Sequence, residues 1–246
     1  MLTARRPLSH ELTVDGFAIV EGVIPPSRLA ALSDAVATLG ARPAVRERSG
    51  STYAVRRLCE TVPAVRDLAV LHDVRSLVEP VLGAKARVVR SLLFDKSPAA
   101  NWKVPWHQDL TIAVKRRRDV GGFGPWSVKA GVPHVQPPVA ILEKVVTVRL
   151  HLDDCGADNG PLRVLAGSHA RGVLDAARIA FLRQSIPETT CIVGAGGVVL
   201  MRPLLLHASS PADRPGHRRV IHLEFAAEEL PGGLEWHESP SHEETS

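Results

Sequence analysis

Three side chains, His107, Asp109 and His207, have the types and spacing of a mononuclear metal site. His107 and Asp109 stand two positions apart in the stretch Trp106-His107-Gln108-Asp109. Residues i and i+2 of an extended chain point to the same face, roughly 6.6 Å apart along the strand. Both can therefore reach one metal ion, and a second histidine would complete the 2-His-1-carboxylate set that binds iron and leaves positions open. Alone, the His-x-Asp pattern is weak, because both residues are common on surfaces.

The C-terminal half supplies a candidate for the second histidine and for an anion-binding residue. A Gly-rich turn at 194–197 precedes an apolar run at 198–206, and His207 follows that run. Arg218 comes eleven residues later, at the start of another run, so a hairpin of that span brings it beside His207. A guanidinium near an iron site is suited to bidentate capture of a carboxylate. The combination is much more specific than any of its parts.

Strand parity bears on which of two adjacent arginines faces this site. In 145–152 the apolar residues alternate with a face that carries Thr147 and Arg149, and in 218–225 Arg218 lies on the polar face while Arg219 does not. If the apolar faces pack against helices, the polar faces line the site and Arg218 points toward the metal. The opposite orientation stays open, because parity alone does not exclude it.

The rest of the chain predicts helices before residue 86 and short strands after it. Helical periodicity is typical of 28–39, with Ser27 as N-cap and Gly40 as the stop, and of 63–71 and 73–82. Short strands without long helices between them favour a sandwich or barrel. Apolar or alternating runs predict strands at 15–20, 87–95, 145–153, 162–166, 198–202 and 219–226.

Composition places the chain among globular proteins. Of 246 residues, 45% are hydrophobic and 23% charged, which allows a sizeable core and favours one domain over 1–246. A net charge of +4 with only 4% aromatic residues argues against a nucleic-acid partner. No apolar stretch approaches the roughly 20 residues of a membrane span, and the start lacks the apolar segment of a secretion signal. A cytoplasmic location and reduced cysteines are therefore expected.

The stretch 111–144 differs in amino-acid composition from its surroundings. It is rich in Gly, Pro, Lys and Arg, which predicts a long insertion or lid outside the core. Its basic run at 115–118 suggests an anionic group on a small-molecule substrate. Tryptophans and polar residues in this segment or beside the metal ligands could contact that substrate. These candidate substrate contacts are Trp106, Gln108, Trp126 and His134.

The sequence resembles the phytanoyl-CoA dioxygenase family of Fe(II)/2-oxoglutarate-dependent oxygenases. The matching stretches follow the family's order and cover most of the chain: DGFAIVEGVIPPSRLAAL, VPWHQDLT, LHLDDCGADNGPLRVLAGSH, and VVLMRPLLLHASSP followed by RRVIHLEF. The resemblance implies a mainly β fold, a double-stranded β-helix (jelly-roll) core. We expect helical support at about 1–85, the core at about 86–228 with the insertion at 111–144, and a loose tail at about 231–246.

The resemblance also implies roles for individual residues. His107, Asp109 and His207 would bind Fe(II). Arg218, helped by the Ser209 hydroxyl, would bind the distal carboxylate of 2-oxoglutarate, and O2 would be the oxidant. Further candidates for the co-substrate pocket are Thr147, Arg149 and Arg56.

The expected reaction is hydroxylation of a small-molecule C–H bond with release of succinate and CO2. Asp109 favours hydroxylation over halogenation, because halogenating relatives carry a small residue at this position. Ala166 replaces the proline of the family's Pro-Gly-Ser-His motif. The insertion at 111–144 is longer than expected for the family, and this length weakens the case for an acyl-CoA substrate. Two alternatives stay open: a non-catalytic metal-binding jelly roll, and a cupin-like metal enzyme that does not use 2-oxoglutarate and would not need Arg218.

Overall fold

The structure is a computed structural model and describes residues 6–39, 45–48 and 51–238. The helices are α1 (Leu8–Val14), α2 (Pro26–Ala37), α3 (Leu58–Thr61), α4 (Pro63–Val70), α5 (His72–Leu82), α6 (Val139–Leu142) and α7 (Ala176–Ser185), with a 3-10 turn at Ser168–Arg171. The strands are β1 (Phe17–Val20), β2 (Val45–Arg48), β3 (Ser51–Arg56), β4 (Arg87–Lys96), β5 (Val104–His107), β6 (Ile112–Ala113), β7 (Trp126–Lys129), β8 (Val132–Val135), β9 (Val145–His151), β10 (Leu162–Leu165), β11 (Glu188–Cys191), β12 (Val198–Met201), β13 (His207–Ser209) and β14 (Arg218–Ala226).

Two antiparallel sheets form the core. Within the described residues, the larger sheet has seven strands in the order β1-β12-β9-β14-β4-β3-β2, and the smaller sheet has four in the order β11-β10-β13-β5. Several neighbouring strands are far apart in the sequence, as β10 beside β13 shows. The protein is mainly β with supporting helices, as predicted, and the two sheets form the jelly roll.

The alternation of β9 and β14 explains why the helices lie on one side of the larger sheet. Val148 on β9 and Leu223 on β14 lie opposite each other and are completely buried. They belong to an apolar cluster that also contains Leu68 of α4 and Val78 of α5. Since the apolar face of the sheet is covered by helices, the alternate, more polar face turns toward the smaller sheet.

The N-terminal region contains the predicted helices, with differences at their ends. The helix predicted from residue 28 with Ser27 as N-cap begins instead at Pro26, and no side chain caps it. The fixed φ of proline suits the first turn of a helix, which accounts for the earlier start. The predicted stop at Gly40 lies outside the described residues. Strands β1, β2 and β3 also come from this region and extend the larger sheet, so it is not helical support alone.

The stretch 111–144 packs against the protein's interior near both of its ends, whereas most of 115–131 is exposed. Strands β6, β8 and β7 form a small sheet of their own. Ile112, Val135 and Leu142 are buried in an apolar cluster with Leu234 and Trp236. The predicted insertion therefore contains a small sheet in which β6 and β8 pack against apolar partners about a hundred residues away in the sequence, while its middle part stays largely exposed.

The start of the predicted loose tail is packed as well. Trp236 is buried and its indole N–H donates to the backbone carbonyl of Glu228 at 2.8 Å. The Glu238 carboxylate accepts from the backbone N–H of Ser91 at 2.8 Å. The prediction of a loose tail does not hold for 231–238, and 239–246 lie outside the described residues. Among the helices of the described ranges, none has the length and apolar character needed to cross a membrane.

Candidate metal centre

Three side chains converge where the smaller sheet faces the larger one. The Nε2 atom of His107 lies 3.8 Å from Oδ1 of Asp109, and Nε2 of His207 lies 3.7 Å from Oδ2. One ligand atom from each residue lies within 4.8 Å of the others. Ligand atoms at right angles around an ion with bonds of about 2.1 Å are about 3 Å apart, so small side-chain shifts close the site. The three residues fit a 2-His-1-carboxylate iron site.

Backbone hydrogen bonds prepare both imidazoles for a metal. The distance from Nδ1 to a backbone carbonyl is 2.9 Å for His107, to Pro105, and 2.8 Å for His207, to Leu205. A carbonyl oxygen only accepts, so Nδ1 of each ring carries the proton and donates it. The lone pair of each ring is therefore on Nε2, the atom that faces Asp109.

Strand pairing brings the two histidines together. β5 and β13 are antiparallel, with His107 directly opposite His207, and residues opposite each other in such a pair share a face. The ring centroids are 4.2 Å apart. The register shifts beyond this pair, so that Ser209 lies opposite Val104 across an irregularity of one residue. Asp109 follows β5, and its backbone N–H donates to the carbonyl of Pro203 at 2.9 Å.

The charges around the triad favour metal-binding forms of its members. Burial alone would raise the pKa of Asp109, but the imidazoles of His207, His222 and His107 outweigh it and hold the pKa below its usual range. Burial lowers the pKa of His207 to about 4. At neutral pH these two groups are a carboxylate and a neutral imidazole, the forms that a metal ion requires.

A cavity of about 250 Å³ opens beside the triad, between the two sheets. One part of its wall is apolar or aromatic, and another carries two arginines, a serine and a histidine. Besides the triad, the lining residues are Phe94, Trp102, Val104, Arg149, Leu162, Ala208, Ser209, Arg218 and His222.

Arg218 and Arg219 have opposite environments. Arg218 is only 3% exposed, lines the cavity and donates from Nη1 to the backbone carbonyl of Gly160. No carboxylate of the described residues lies within ion-pair distance of it. Arg219 turns away and forms a bidentate pair with Asp153, at 2.6 and 2.9 Å. The structure therefore places Arg218 at the site, the orientation that strand parity favoured.

Arg149 also lines the cavity, in the middle of β9. Its Nη1 donates to Nδ1 of His222 at 2.9 Å. Nε2 of His222 then donates to the Glu224 carboxylate at 3.2 Å, and that carboxylate is paired with Arg90 at 2.9 Å. This buried chain fixes the orientation of Arg149. Thr147 is buried on the same face of β9 but does not line the cavity.

Besides Thr147, five predicted contact residues do not line the cavity. Arg56 and His134 meet instead at a separate small cavity beside β4. Trp126 packs against Arg117, whose guanidinium carbon lies 5.4 Å from the centroid of the tryptophan ring. Trp106 has the opposite strand parity to His107 and stands between Arg163 and Arg183, at 5.5 and 5.6 Å.

Gln108 is the fifth, and it has a backbone-binding role although it lies between two ligands in the sequence. Its amide donates to the carbonyls of Gly172 and Leu204, at 2.8 and 2.7 Å. Its oxygen accepts from the N–H of Leu174 at 2.8 Å. The side chain therefore ties three segments together and does not line the cavity.

The basic run at 115–118 is engaged with acidic residues and does not line the cavity. Lys115 and Arg116 both contact the Glu235 carboxylate, at 3.2 and 3.4 Å, and Arg117 contacts Asp119 at 3.5 Å. The structure therefore gives three residues of this run acidic partners, and the anionic group of the substrate stays a prediction.

Sequence reasoning did not assign Phe94 or Lys96 to the site, and it left Trp102 open between core packing and a pocket wall. Phe94 lies in β4, where successive side chains point to alternate faces, so the face that it occupies can be detected from the sequence. Trp102 lies in a loop, where no periodicity applies. Lys96 is buried behind Ser209 at the end of β4, and its residue type favours exposure.

The model of the phytanoyl-CoA dioxygenase family matches residues 12–220, which contain the whole triad and Arg218. The chain belongs to the phytanoyl-CoA dioxygenase family. Comparison with curated protein sequences finds no significant match.

Several solved structures share the fold of this phytanoyl-CoA dioxygenase family member. AviO1 from Streptomyces viridochromogenes Tue57 is 25% identical, with a TM-score of 0.65 over 93% of this chain and 100% of that one. EctD from S. alaskensis, solved with 2-oxoglutarate and 5-hydroxyectoine, is 20% identical, with a TM-score of 0.69 over 89% and 74%. The α-ketoglutarate-dependent carbocyclase SnoK from nogalamycin biosynthesis is 16% identical, with a TM-score of 0.67 over 92% and 85%.

Proposed function

We propose that this protein is an Fe(II)- and 2-oxoglutarate-dependent oxygenase that hydroxylates a C–H bond of a small molecule and releases succinate and CO2. The observation that carries the proposal is one cavity in which a His-Asp-His triad lies together with a buried arginine that has no carboxylate partner among the described residues. The carbocyclase and epimerase among the structures of similar fold show that the same fold also serves other outcomes. Asp109 argues for hydroxylation or a related oxidation and against halogenation, and hydroxylation is the reaction that we propose.

His107, Asp109 and His207 would hold the iron, which with 2-oxoglutarate and O2 supplies the oxidising chemistry. Their facial arrangement leaves positions open for the co-substrate and O2. The Nδ1 hydrogen bonds of both histidines fix the rings before metal arrives, so little reorganisation is needed on binding.

Arg218 and Ser209 would hold the distal carboxylate of 2-oxoglutarate. A buried guanidinium without a carboxylate partner is costly, and a bound carboxylate removes that cost with charge-assisted hydrogen bonds. The second cavity arginine, Arg149, adds positive charge near the triad. The cavity is therefore suited to a dianionic co-substrate.

The size of the cavity bears on where the substrate binds. Pockets for drug-sized ligands are about 300–1,000 Å³, and this cavity of about 250 Å³ must also hold the co-substrate. Only the reacting part of the substrate would enter, while its bulk would lie at the mouth. The apolar and aromatic wall that includes Phe94 and Trp102 would keep water from the reacting bond.

The proposal is tested by anaerobic absorption spectroscopy of the protein with Fe(II), before and after addition of 2-oxoglutarate. We expect a weak visible charge-transfer band in the wild type. Arg218→Leu should need about 100-fold more 2-oxoglutarate for the same band, because a buried charge-assisted contact is lost. The matched control Arg219→Leu removes the neighbouring arginine, whose partner is Asp153, and should titrate like the wild type.

Other outcomes distinguish the alternatives. Bound iron without any band in the wild type would contradict the use of 2-oxoglutarate and favour a cupin-like metal enzyme. Failure to bind iron would favour a non-catalytic jelly roll. If the band appears, succinate release on incubation with candidate small molecules identifies the substrate.

A further inference from the structure

Lys96 is a buried cation behind the cavity. It ends β4, is only 1% exposed, and lies directly opposite Arg218 of β14 in the strand register. Its ammonium donates to Oγ of Ser209 at 2.9 Å and to the backbone carbonyl of Ser210. Among the described residues, no carboxylate lies within ion-pair distance of this ammonium.

The contact with Lys96 decides which way the Ser209 hydroxyl can point. An ammonium group has three donors and no acceptor, so Oγ of Ser209 accepts from Lys96. The hydroxyl proton of Ser209 must then be directed to another acceptor. Since Ser209 and Arg218 both line the cavity, this leaves Ser209 as a hydrogen-bond donor beside the guanidinium.

The turn at Gly160 lies close to both Lys96 and Arg218. Gly160 has a φ of +60°, and its carbonyl accepts from Arg218. A Cβ at Gly160 would lie 2.6 Å from the carbonyl oxygen of Ser210 and 3.1 Å from the Lys96 ammonium. A larger residue would push the turn away. Two buried positive charges are thus held side by side, an arrangement that an anion stabilises.

We propose that Lys96 is a positioning residue for 2-oxoglutarate: it fixes Ser209 as a donor to the distal carboxylate and adds a second positive charge beside Arg218. This inference rests on the proposed function. It assigns a role to Lys96, which neither contacts the metal ligands nor lines the cavity. Lys96 acts through Ser209 and through its charge.

Burial, with the nearby Arg218 charge, lowers the pKa of Lys96 to about 7. The other titratable groups that face it are Cys155, Arg149 and Arg163. A carboxylate bound nearby favours the charged ammonium and raises this pKa, so binding takes up a proton where the free lysine is neutral. The affinity for 2-oxoglutarate should therefore fall as the pH rises from 7 to 9.

The test is calorimetric titration of 2-oxoglutarate into the Mn(II)-loaded protein, where no turnover occurs. Lys96→Met should weaken binding by about 10- to 100-fold, the range of a hydrogen bond to a charged group. Lys96→Met/Ser209→Ala should lose less than the product of the two single losses, because the lysine acts through the serine. Lys144→Met, which removes an exposed lysine paired with Glu228, serves as the control and should bind like the wild type.

The pH profile gives a readout that a purely structural role would not change. Wild-type affinity should fall between pH 7 and 9, and Lys96→Met should show no such fall while binding Mn(II) as tightly as the wild type. Wild-type affinity that is flat over this range overturns the inference without any variant, as does equal binding by Lys96→Met. If the loss of 2-oxoglutarate affinity in the double variant equals the product of the losses in the two single variants, Lys96 does not act through Ser209. A wild type that binds Mn(II) but no 2-oxoglutarate instead contradicts the proposed function.

Discussion

His207 and His134 lie in different sheets and make the same local hydrogen bond. In each, Nδ1 bonds to the carbonyl two residues earlier, at 2.8 Å for His207 and 2.9 Å for His134. Nε2 of His207 then faces the Asp109 carboxylate at 3.7 Å. Nε2 of His134 is buried without a hydrogen-bond partner. The local bond therefore orients a ring, whereas a metal site also needs other ligands converging on the free nitrogen.

The surroundings of His134 explain why no such site forms there. Burial lowers the pKa of His134 to about 3, and the charges of Arg90, Lys129 and Arg56 add to this effect. The imidazole is neutral, as a ligand must be, but its neighbourhood repels a cation. In the described ranges, His107, Asp109 and His207 form the one cluster of three or more such side chains that could hold a metal ion.

The largest expected effect is on metal binding. His207→Ala removes a proposed ligand and should weaken Fe(II) or Mn(II) binding by more than the roughly 10- to 100-fold loss caused by changing residues that only orient ligands. His134→Ala removes a histidine with the same local hydrogen bond and should leave the affinity unchanged. Calorimetric metal titration of both variants measures the difference. Equal losses would mean that the metal is not bound where the triad converges.

A smaller effect is expected at Gln108, which lies between two ligands in the sequence but binds backbone. Gln108→Leu leaves two carbonyls and one N–H without their buried partner and should lower the free energy of unfolding by about 3 kcal/mol. Urea denaturation of the metal-free protein measures this. Unchanged stability together with a loss of substrate turnover would show that the amide contacts substrate instead.

The smallest effect concerns the pH dependence of stability. The ordinary pKa of histidine is 6.5, and that of folded His134 is about 3, so between these values the unfolded chain binds a proton that the folded chain does not. This contribution to stability is fully present above pH 6.5 and is lost as the pH falls. In the wild type, the free energy of unfolding should decline as the pH falls. His134→Leu should therefore reduce the slope of this decline near pH 5 by up to about 1.4 kcal/mol per pH unit. Denaturation curves between pH 7 and 4 measure it, and an unchanged slope would contradict the buried neutral state.

Much of the triad site follows from local sequence. The alternation of β9 and β14 predicts that Arg149 and Arg218 share the face opposite to Val148 and Leu223, and the structure shows this. Strands β4, β9, β10, β12 and β14 also follow, because short apolar runs between turn residues are local signals. His207 was expected at the end of the strand that begins at residue 198, but it begins the separate strand β13. The predicted hairpin between His207 and Arg218 is also wrong, because β13 and β14 lie in different sheets.

The remaining features depend on partners that are distant in the sequence. The packing of 111–144 is set by Leu234 and Trp236, which stand among polar residues and carry no periodic signal. Lys96 is buried because Ser209 and Ser210 supply acceptors more than a hundred residues away. Trp106 was placed near the substrate by its position beside His107, yet adjacent residues of a strand point to opposite faces.

The one-residue irregularity between β5 and β13 makes the metal centre depend on chain length as well as on residue type. His107 and Val104 are three positions apart, a spacing that in a regular strand puts side chains on opposite faces, yet both line the cavity. Deleting one residue between them would remove the irregularity and leave the two-residue spacing that a regular strand places on one face. Inserting one residue between them, with the single irregularity kept, would instead turn either the histidine or the valine away from the cavity, so an insertion here should be tolerated far less than substitution of the exposed Pro105.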